Sequence, residues 1–132
     1  MEYILIIDDN EENLRAMRMF LTLLGYKVKE ASNGEEAVRL LDTGLKIDFV
    51  ITDIAMPRMN GNDVARYIRN SKRPRTPIVA ITGLSDGIDR GLFNSILVKP
   101  YKLRTLAEEI ASFAQGNNWT LDPVEGECLE KS

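Results

Sequence analysis

Strand signals and helix signals alternate along the first 115 or so residues, and that alternation leaves few folds open. Residues 4–7, 49–52, 78–81 and 96–98 are continuous apolar runs, short for buried helices and unbroken enough to be strands covered on both faces. Residues 26–31 alternate as a further strand. Between them lie helical spacings. Asn10 can cap a helix whose first turn holds Glu11 and Glu12, with Leu14, Met17, Leu21 and Leu24 at spacings of three and four and Gly25 as its stop. Ser32, Asn33, Gly34 and Glu35 match a capping box ahead of Ala37, Leu40 and Leu41, and Gly44 ends that pattern. A helix after Gly61 buries Val64 and Ile68, and a last one from about Tyr101 places Leu103, Leu106, Ile110 and Phe113 on one side. Strict β-α alternation predicts an α/β fold, parallel strands joined by right-handed crossovers with helices on both sheet faces.

One connection breaks the rhythm. Residues 83–94 are all that separate the fourth strand from the fifth. That is near the lower limit of roughly 10–12 residues for a crossover with its helix. Gly83, Gly87 and Gly91 leave room for a turn or two, so the fourth helix is expected to be stunted.

The strand ends carry the chemistry. The first run closes on Asp8 and Asp9, the third strand on Asp53, the fourth on Thr82 and the fifth on Lys99-Pro100. Ligands of open parallel sheets bind beyond the carboxyl ends of the strands. Three carboxylates, a hydroxyl and an ammonium gathered there suit a divalent cation and a phosphoryl group.

Bulk properties narrow the field further. At 132 residues the chain is long enough to bury a core without disulfides, and its single cysteine, Cys128, can form none internally. It contains no histidine, which excludes histidine-ligated zinc and a histidine general base. A net charge of −3 argues against nucleic acid as the main partner. No run approaches the roughly 18 apolar residues of a membrane span, and the start is unlike a signal peptide, so the expectation is a cytoplasmic protein with no membrane partner. From Gly116 onward the periodicity fails. The expected division is a domain over 1–116 and a tail or linker start over 117–132, with Trp119 available to pin part of it. Arg66, Arg69, Lys72, Arg73 and Arg75 read as a solvated basic helix face, and Met17, Met19, Met56 and Met59 as packing residues.

Taken singly, an Asp-Asp pair is usually a turn or cap and a Lys-Pro a surface loop. In conjunction, Asp8-Asp9, Asp53-Ile54-Ala55-Met56-Pro57 with Gly61 behind it, Thr82-Gly83 and Lys99-Pro100-Tyr101 resemble the receiver domains of two-component signalling, the chemotaxis-regulator-like family. The resemblance covers about residues 3–115 and implies a flavodoxin-like, doubly wound, five-stranded parallel sheet in the order 2-1-3-4-5. It implies Mg²⁺ as cofactor, ligated by Asp9 and Asp53, by Asp8 largely through water, and by the backbone carbonyl of Ala55. Asp53 would be the phosphoacceptor, with Lys99 pairing a phosphoryl oxygen, Thr82 taking another, and a cis bond before Pro100.

The expected function is a phosphoacceptor signalling domain with no catalysis beyond self-phosphorylation and self-dephosphorylation at Asp53. The donor would be a histidine kinase or phosphotransfer protein, since the chain has no histidine of its own. The output would be a downstream protein partner or a fused domain. A Mg²⁺-dependent aspartyl-phosphate phosphohydrolase is the alternative; dehalogenase-type phosphatases expect a second aspartate two positions after the nucleophile on strand one, and Asp8 is followed by Asp9 and Asn10. Two features depart from the family pattern. Ile96 stands where receivers usually carry an aromatic switch residue, and the fourth helix is short. Ala55 and Leu84 would border the path of the water that removes the phosphoryl group.

Overall fold

A computed structural model describes residues 2–83 and 87–114. Its elements alternate as the periodicity predicts. The strands are β1 (Tyr3–Ile7), β2 (Val28–Ala31), β3 (Ile47–Asp53), β4 (Ile78–Thr82) and β5 (Ser95–Val98). The helices are α1 (Glu11–Leu23), α2 (Gly34–Leu41), α3 (Gly61–Arg69) and α4 (Leu103–Ala114). The strands form one parallel sheet in the order β2-β1-β3-β4-β5. Between β4 and β5 the described residues hold only a 3-10 turn, Arg90–Leu92. The stunted crossover is therefore observed, and the helix expected to be fifth is α4.

Both sheet faces are covered, which explains the unbroken apolar runs. Leu5, Ile7, Val50, Ile78, Ala80 and Ile96 share a core with Ala37 of α2 and with Val64, Ala65 and Ile68 of α3. On the opposite face Ile4, Ile6, Phe49, Ile51, Val79, Ile81 and Leu97 meet Leu14, Met17 and Leu21 of α1 and Leu106 and Ile110 of α4. Phe49 and Phe113 pack edge to face with ring centroids 5.4 Å apart. Each of the Val, Leu, Ile, Met and Phe side chains contributes roughly 1.5–3 kcal/mol when fully buried, so the sheet is anchored from both sides.

Helix ends depart from expectation by a residue or two. Asn10 caps α1 as expected, accepting from the Asn13 amide. The α2 cap is Asn33, not Ser32; its side chain accepts from the Glu36 amide, while Glu36 reaches back to the Ser32 amide and hydroxyl. The shift by one register leaves Glu35 to pair with Arg58. α3 carries an unforeseen reciprocal box between Asn60 and Asp63. Leu24 and Leu103 were expected on buried stripes, yet both are exposed, because each lies at or beyond the end of its helix where no neighbour covers it. Met19 is likewise exposed and packs no core. The expected tail, 117–132, and Trp119 lie outside the described residues.

Candidate functional site

Strand register places the site. Ile7 lies beside Thr52, Asp53 beside Ile81, and Thr82 beside Val98, so the carboxyl ends of β1, β3, β4 and β5 finish at one level. Two cross-links hold that edge: the Ile54 amide donates to the Ile81 carbonyl at 3.1 Å and the Lys99 amide to the Thr82 carbonyl at 2.9 Å. The residues just past these ends must converge. One carboxylate oxygen from each of Asp8, Asp9 and Asp53 lies within 4.8 Å of the others. The Lys99 ammonium stands 2.9 Å from a carboxylate oxygen of Asp53. Thr82 is buried at the end of β4, and its hydroxyl donates to the Gly83 carbonyl at 2.9 Å. Ala55 is exposed two residues past β3. The Lys99–Pro100 peptide is cis.

Burial sets the electrostatics. Asp8 and Asp53 are buried while Asp9 is exposed, so the cluster has one open side. The Asp53 carboxyl is held above the ordinary 3.8 chiefly by burial; the Lys99 hydrogen bond opposes this, and the Asp8 and Asp9 charges reinforce it. Asp8 is oriented from below, with one oxygen accepting from the Asn10 amide at 2.9 Å and the other from the Asn13 side chain at 3.2 Å. Tyr101, half-buried behind the site, has its hydroxyl pKa pushed up to about 12 by burial and by the charges of Asp8 and Asp53. Asn13 was not singled out from sequence, and Tyr101 only as the end of the Lys99-Pro100-Tyr101 motif, with no role assigned to it. Asn13 lies in the first turn of α1, the helix that leads away from Asp8 and Asp9, and that position is the signal that could have found it.

Two close approaches lock the loop that follows Asp53. A Cβ built on Gly61 would meet the Asp53 carbonyl at 2.4 Å, and the Gly61 amide donates to the Ile54 carbonyl at 3.0 Å. A Cβ on Gly34 would meet the Met59 carbonyl at 2.6 Å. The first turns of α3 and α2 thus rest directly on residues 53–59. Ile96 is buried on the α3 side of the sheet, in the same core as Phe93. Leu84 falls outside the described residues.

The basic face of α3 needs correction. Arg69 is not a solvated charge: its guanidinium donates to the carbonyls of Leu92, Pro74 and Thr76 and to the Asn94 side chain, and burial pulls its pKa down to about 10. Arg66 pairs with Asp63 and Asp89, and Arg73 with Asp48.

Comparison with known proteins gives the same picture over nearly the whole domain. The model of the response regulator receiver domain matches residues 4–111. The "Probable transcriptional regulator ycf27" of Cyanidium caldarium is 36% identical over 98% of this chain and 54% of its own length. The chain spans about half or less of the curated relatives it matches, 54%, 14% and 52% of three of them. Among solved structures, the signal receiver domain of a signal transduction histidine kinase from Syntrophus aciditrophicus is similar at TM-score 0.78 and 29% identity, covering 88% of this chain and 92% of that one. The response regulator protein TrrA of Thermotoga maritima, solved in complex with Mg(2+)-BeF, is similar at TM-score 0.76 and 30% identity, covering 85% and 98%. The five-stranded order and the family match agree: this chain belongs to the response regulator receiver domain family of two-component systems.

Proposed function

We propose that Asp53 accepts a phosphoryl group from a phosphohistidine donor, a histidine kinase or a phosphotransfer protein, and that the modified domain switches a downstream protein partner or a fused output domain. The observation that carries this reading is the convergence of Asp8, Asp9 and Asp53 with the Lys99 ammonium 2.9 Å from Asp53. In the transfer, a carboxylate oxygen of Asp53 forms the new bond to phosphorus and the phosphorus–nitrogen bond of the donor breaks. The electron pair stays on the imidazole nitrogen, which takes up a proton. Like charges repel in this reaction, so the chain must neutralise the phosphoryl oxygens and hold the groups in line. Lys99 is placed to pair with one of those oxygens. Thr82 would give its hydroxyl to another by releasing the Gly83 carbonyl. Self-dephosphorylation reverses the modification: a water oxygen bonds to phosphorus, the Asp53 oxygen leaves as carboxylate, and inorganic phosphate departs.

The residues present fit Mg²⁺. The donor set is all oxygen, two members are buried and one is open to solvent, and their ligand atoms lie within 4.8 Å of one another. Asp9 and Asp53 would hold the ion directly, Asp8 through water while Asn10 and Asn13 orient it, and the Ala55 carbonyl would complete the protein's share. When bound, the ion supplies positive charge to the phosphoryl oxygens. Among the described residues no helix is long and apolar enough to cross a membrane.

Incubation with Mg²⁺ and a small acyl phosphate, followed by intact mass, tests the reading. The expected result is one added phosphoryl group, labile to alkali and absent in Asp53→Asn. Continuous donor consumption with no trapped adduct would favour the phosphohydrolase instead. Mg²⁺ alone should raise the melting temperature, because it binds only the native state. An Asp9→Ala variant that responds to Mg²⁺ as fully as the wild type would remove Asp9 from the site.

A further inference from the structure

α3 presents Asn62, Arg66 and Arg69 at spacings of four and three, and all three reach across to the short β4–β5 crossover. Asn62 is buried, and its side-chain amide is used at both ends. Its nitrogen donates to the Gly87 carbonyl at 2.6 Å and its oxygen accepts from the Asp89 amide at 2.9 Å. One turn on, Arg66 meets the Asp89 carboxylate at 3.4 Å. A turn further, Arg69 donates to the Leu92 carbonyl at 3.0 Å and to the Asn94 side chain at 2.9 Å. Asn94 in turn accepts from the Ile78 amide at 2.8 Å, at the start of β4. A crossover whose described residues hold no more than a 3-10 turn is thus fastened by side chains of the neighbouring helix.

The upper end of this ladder abuts the phosphoacceptor. Gly61, next to Asn62, packs against the Asp53 carbonyl. Gly87, which Asn62 holds, lines a groove of about 330 Å³ together with Asn60 and with Ile54, Ala55, Met56 and Pro57, the residues that follow Asp53. We infer that Asn62 is a positioning residue for the phosphorylated site: by fixing Gly87 against residues 54–57 it limits the approach of water to Asp53 and so lengthens the life of the acyl phosphate. This rests on the phosphoacceptor reading of Asp53. The physical reason is the bidentate contact. A single hydrogen bond would let the crossover pivot, whereas a donor and an acceptor on backbone groups two residues apart fix both its distance and its direction.

The test uses Asn62→Leu, which keeps the size and removes both hydrogen bonds, and Asn62→Asp, which keeps the acceptor for Asp89 but cannot donate to Gly87 when ionised. Asn70→Ala, which removes a side-chain hydrogen bond at the other end of α3, is the control. Two readouts are taken on the full chain: amide exchange at Asp89 and Leu92 without any phosphodonor, and decay of the adduct formed with Mg²⁺ and a small acyl phosphate. Asn62→Leu should raise exchange at Asp89 by about tenfold, the size of one lost neutral hydrogen bond, and shorten the adduct's half-life by about threefold or more. Asn62→Asp should fall between it and the wild type, and Asn70→Ala should match the wild type in both. Faster exchange at Asp89 with an unchanged half-life overturns the positioning role, and unchanged exchange overturns the clamp itself. A wild type that gains no phosphoryl group sinks the phosphoacceptor reading and with it the lifetime role; the exchange arm then still decides the clamp.

Discussion

Two neighbouring crossovers on one face of the sheet reach their next strands by different physical means. From β3 to β4 the chain makes a capped helix, α3, and seats Val64, Ala65 and Ile68 in the core. From β4 to β5 it makes, among the described residues, a three-residue turn with no buried member; Phe93, just after that turn, is buried in the core, and polar side chains that α3 extends to the segment hold the rest. Apolar burial is non-directional and cooperative with the rest of the core. Hydrogen bonds to a loop backbone are directional and can open locally without unfolding the domain. The difference teaches that adjacent crossovers of one fold can be held by different balances of force, the first chiefly by apolar burial and the second with a larger share of directional hydrogen bonds.

The largest expected effect tests the apolar half. Ile68 is essentially fully buried, so Ile68→Ala should destabilise the whole domain by about 2–5 kcal/mol in urea unfolding. A loss under about 1 kcal/mol would mean that α3, too, is held mainly by its polar contacts. The middle effect is at Asp53, where the first crossover begins. Its folded pKa lies above the ordinary 3.8 because burial outweighs Lys99, so the folded state holds the proton more tightly than the unfolded chain. Its favourable contribution is complete below about pH 3.8 and is lost as pH rises through the folded value. Asp53→Asn, uncharged throughout, should therefore be the more stable protein at neutral pH without metal, and its advantage should shrink as pH falls toward 3.8. Unfolding curves at a series of pH values check this, and a pH-independent difference would show that Lys99 fully offsets the burial. The smallest effect tests the exposed rung of the ladder. Arg66 is half exposed in both of its ion pairs, so Arg66→Ala should cost only about 0–1 kcal/mol, less at high salt. A larger loss would place the β4–β5 crossover within the cooperative core, on the same footing as α3.

The division between the crossovers is also the division between what the residues disclosed and what they concealed. All five strands and four of the helical segments were legible, because two-sided burial writes itself as unbroken apolar runs and one-sided burial as a three-four spacing. Asp8, Asp9, Asp53, Thr82 and Lys99 were legible as strand-end residues, and the register brings their strand ends to one level. Strand order came from resemblance, since nothing local distinguishes an inner parallel strand from its neighbour. Arg69 was misjudged for a different reason. In the sequence it sits among Arg66, Lys72 and Arg73 and looks solvated; two of its acceptors, Leu92 and Asn94, lie more than twenty residues on, and only the fold brings them near. Asn62 was hidden in the same way. Polar groups that satisfy a distant backbone leave no periodic trace.

The close approaches at Gly34 and Gly61 carry a consequence for variation in this chain. Neither glycine offers a side chain to the chemistry, yet any side chain at either would strike a backbone carbonyl of the segment that leads away from Asp53. A mutational scan scored by phosphorylation would mark both positions as intolerant, beside the aspartates and the lysine, although they act only by leaving room. Gly44, with nothing within 4 Å, is the contrast: its φ of +86° strains a substitution, but that strain stays in the turn after α2 and meets no part of the loop that follows Asp53. Intolerance spreads from Asp53 along the helices that rest on its loop, so a map of essential positions would outline the support of the site as plainly as the site.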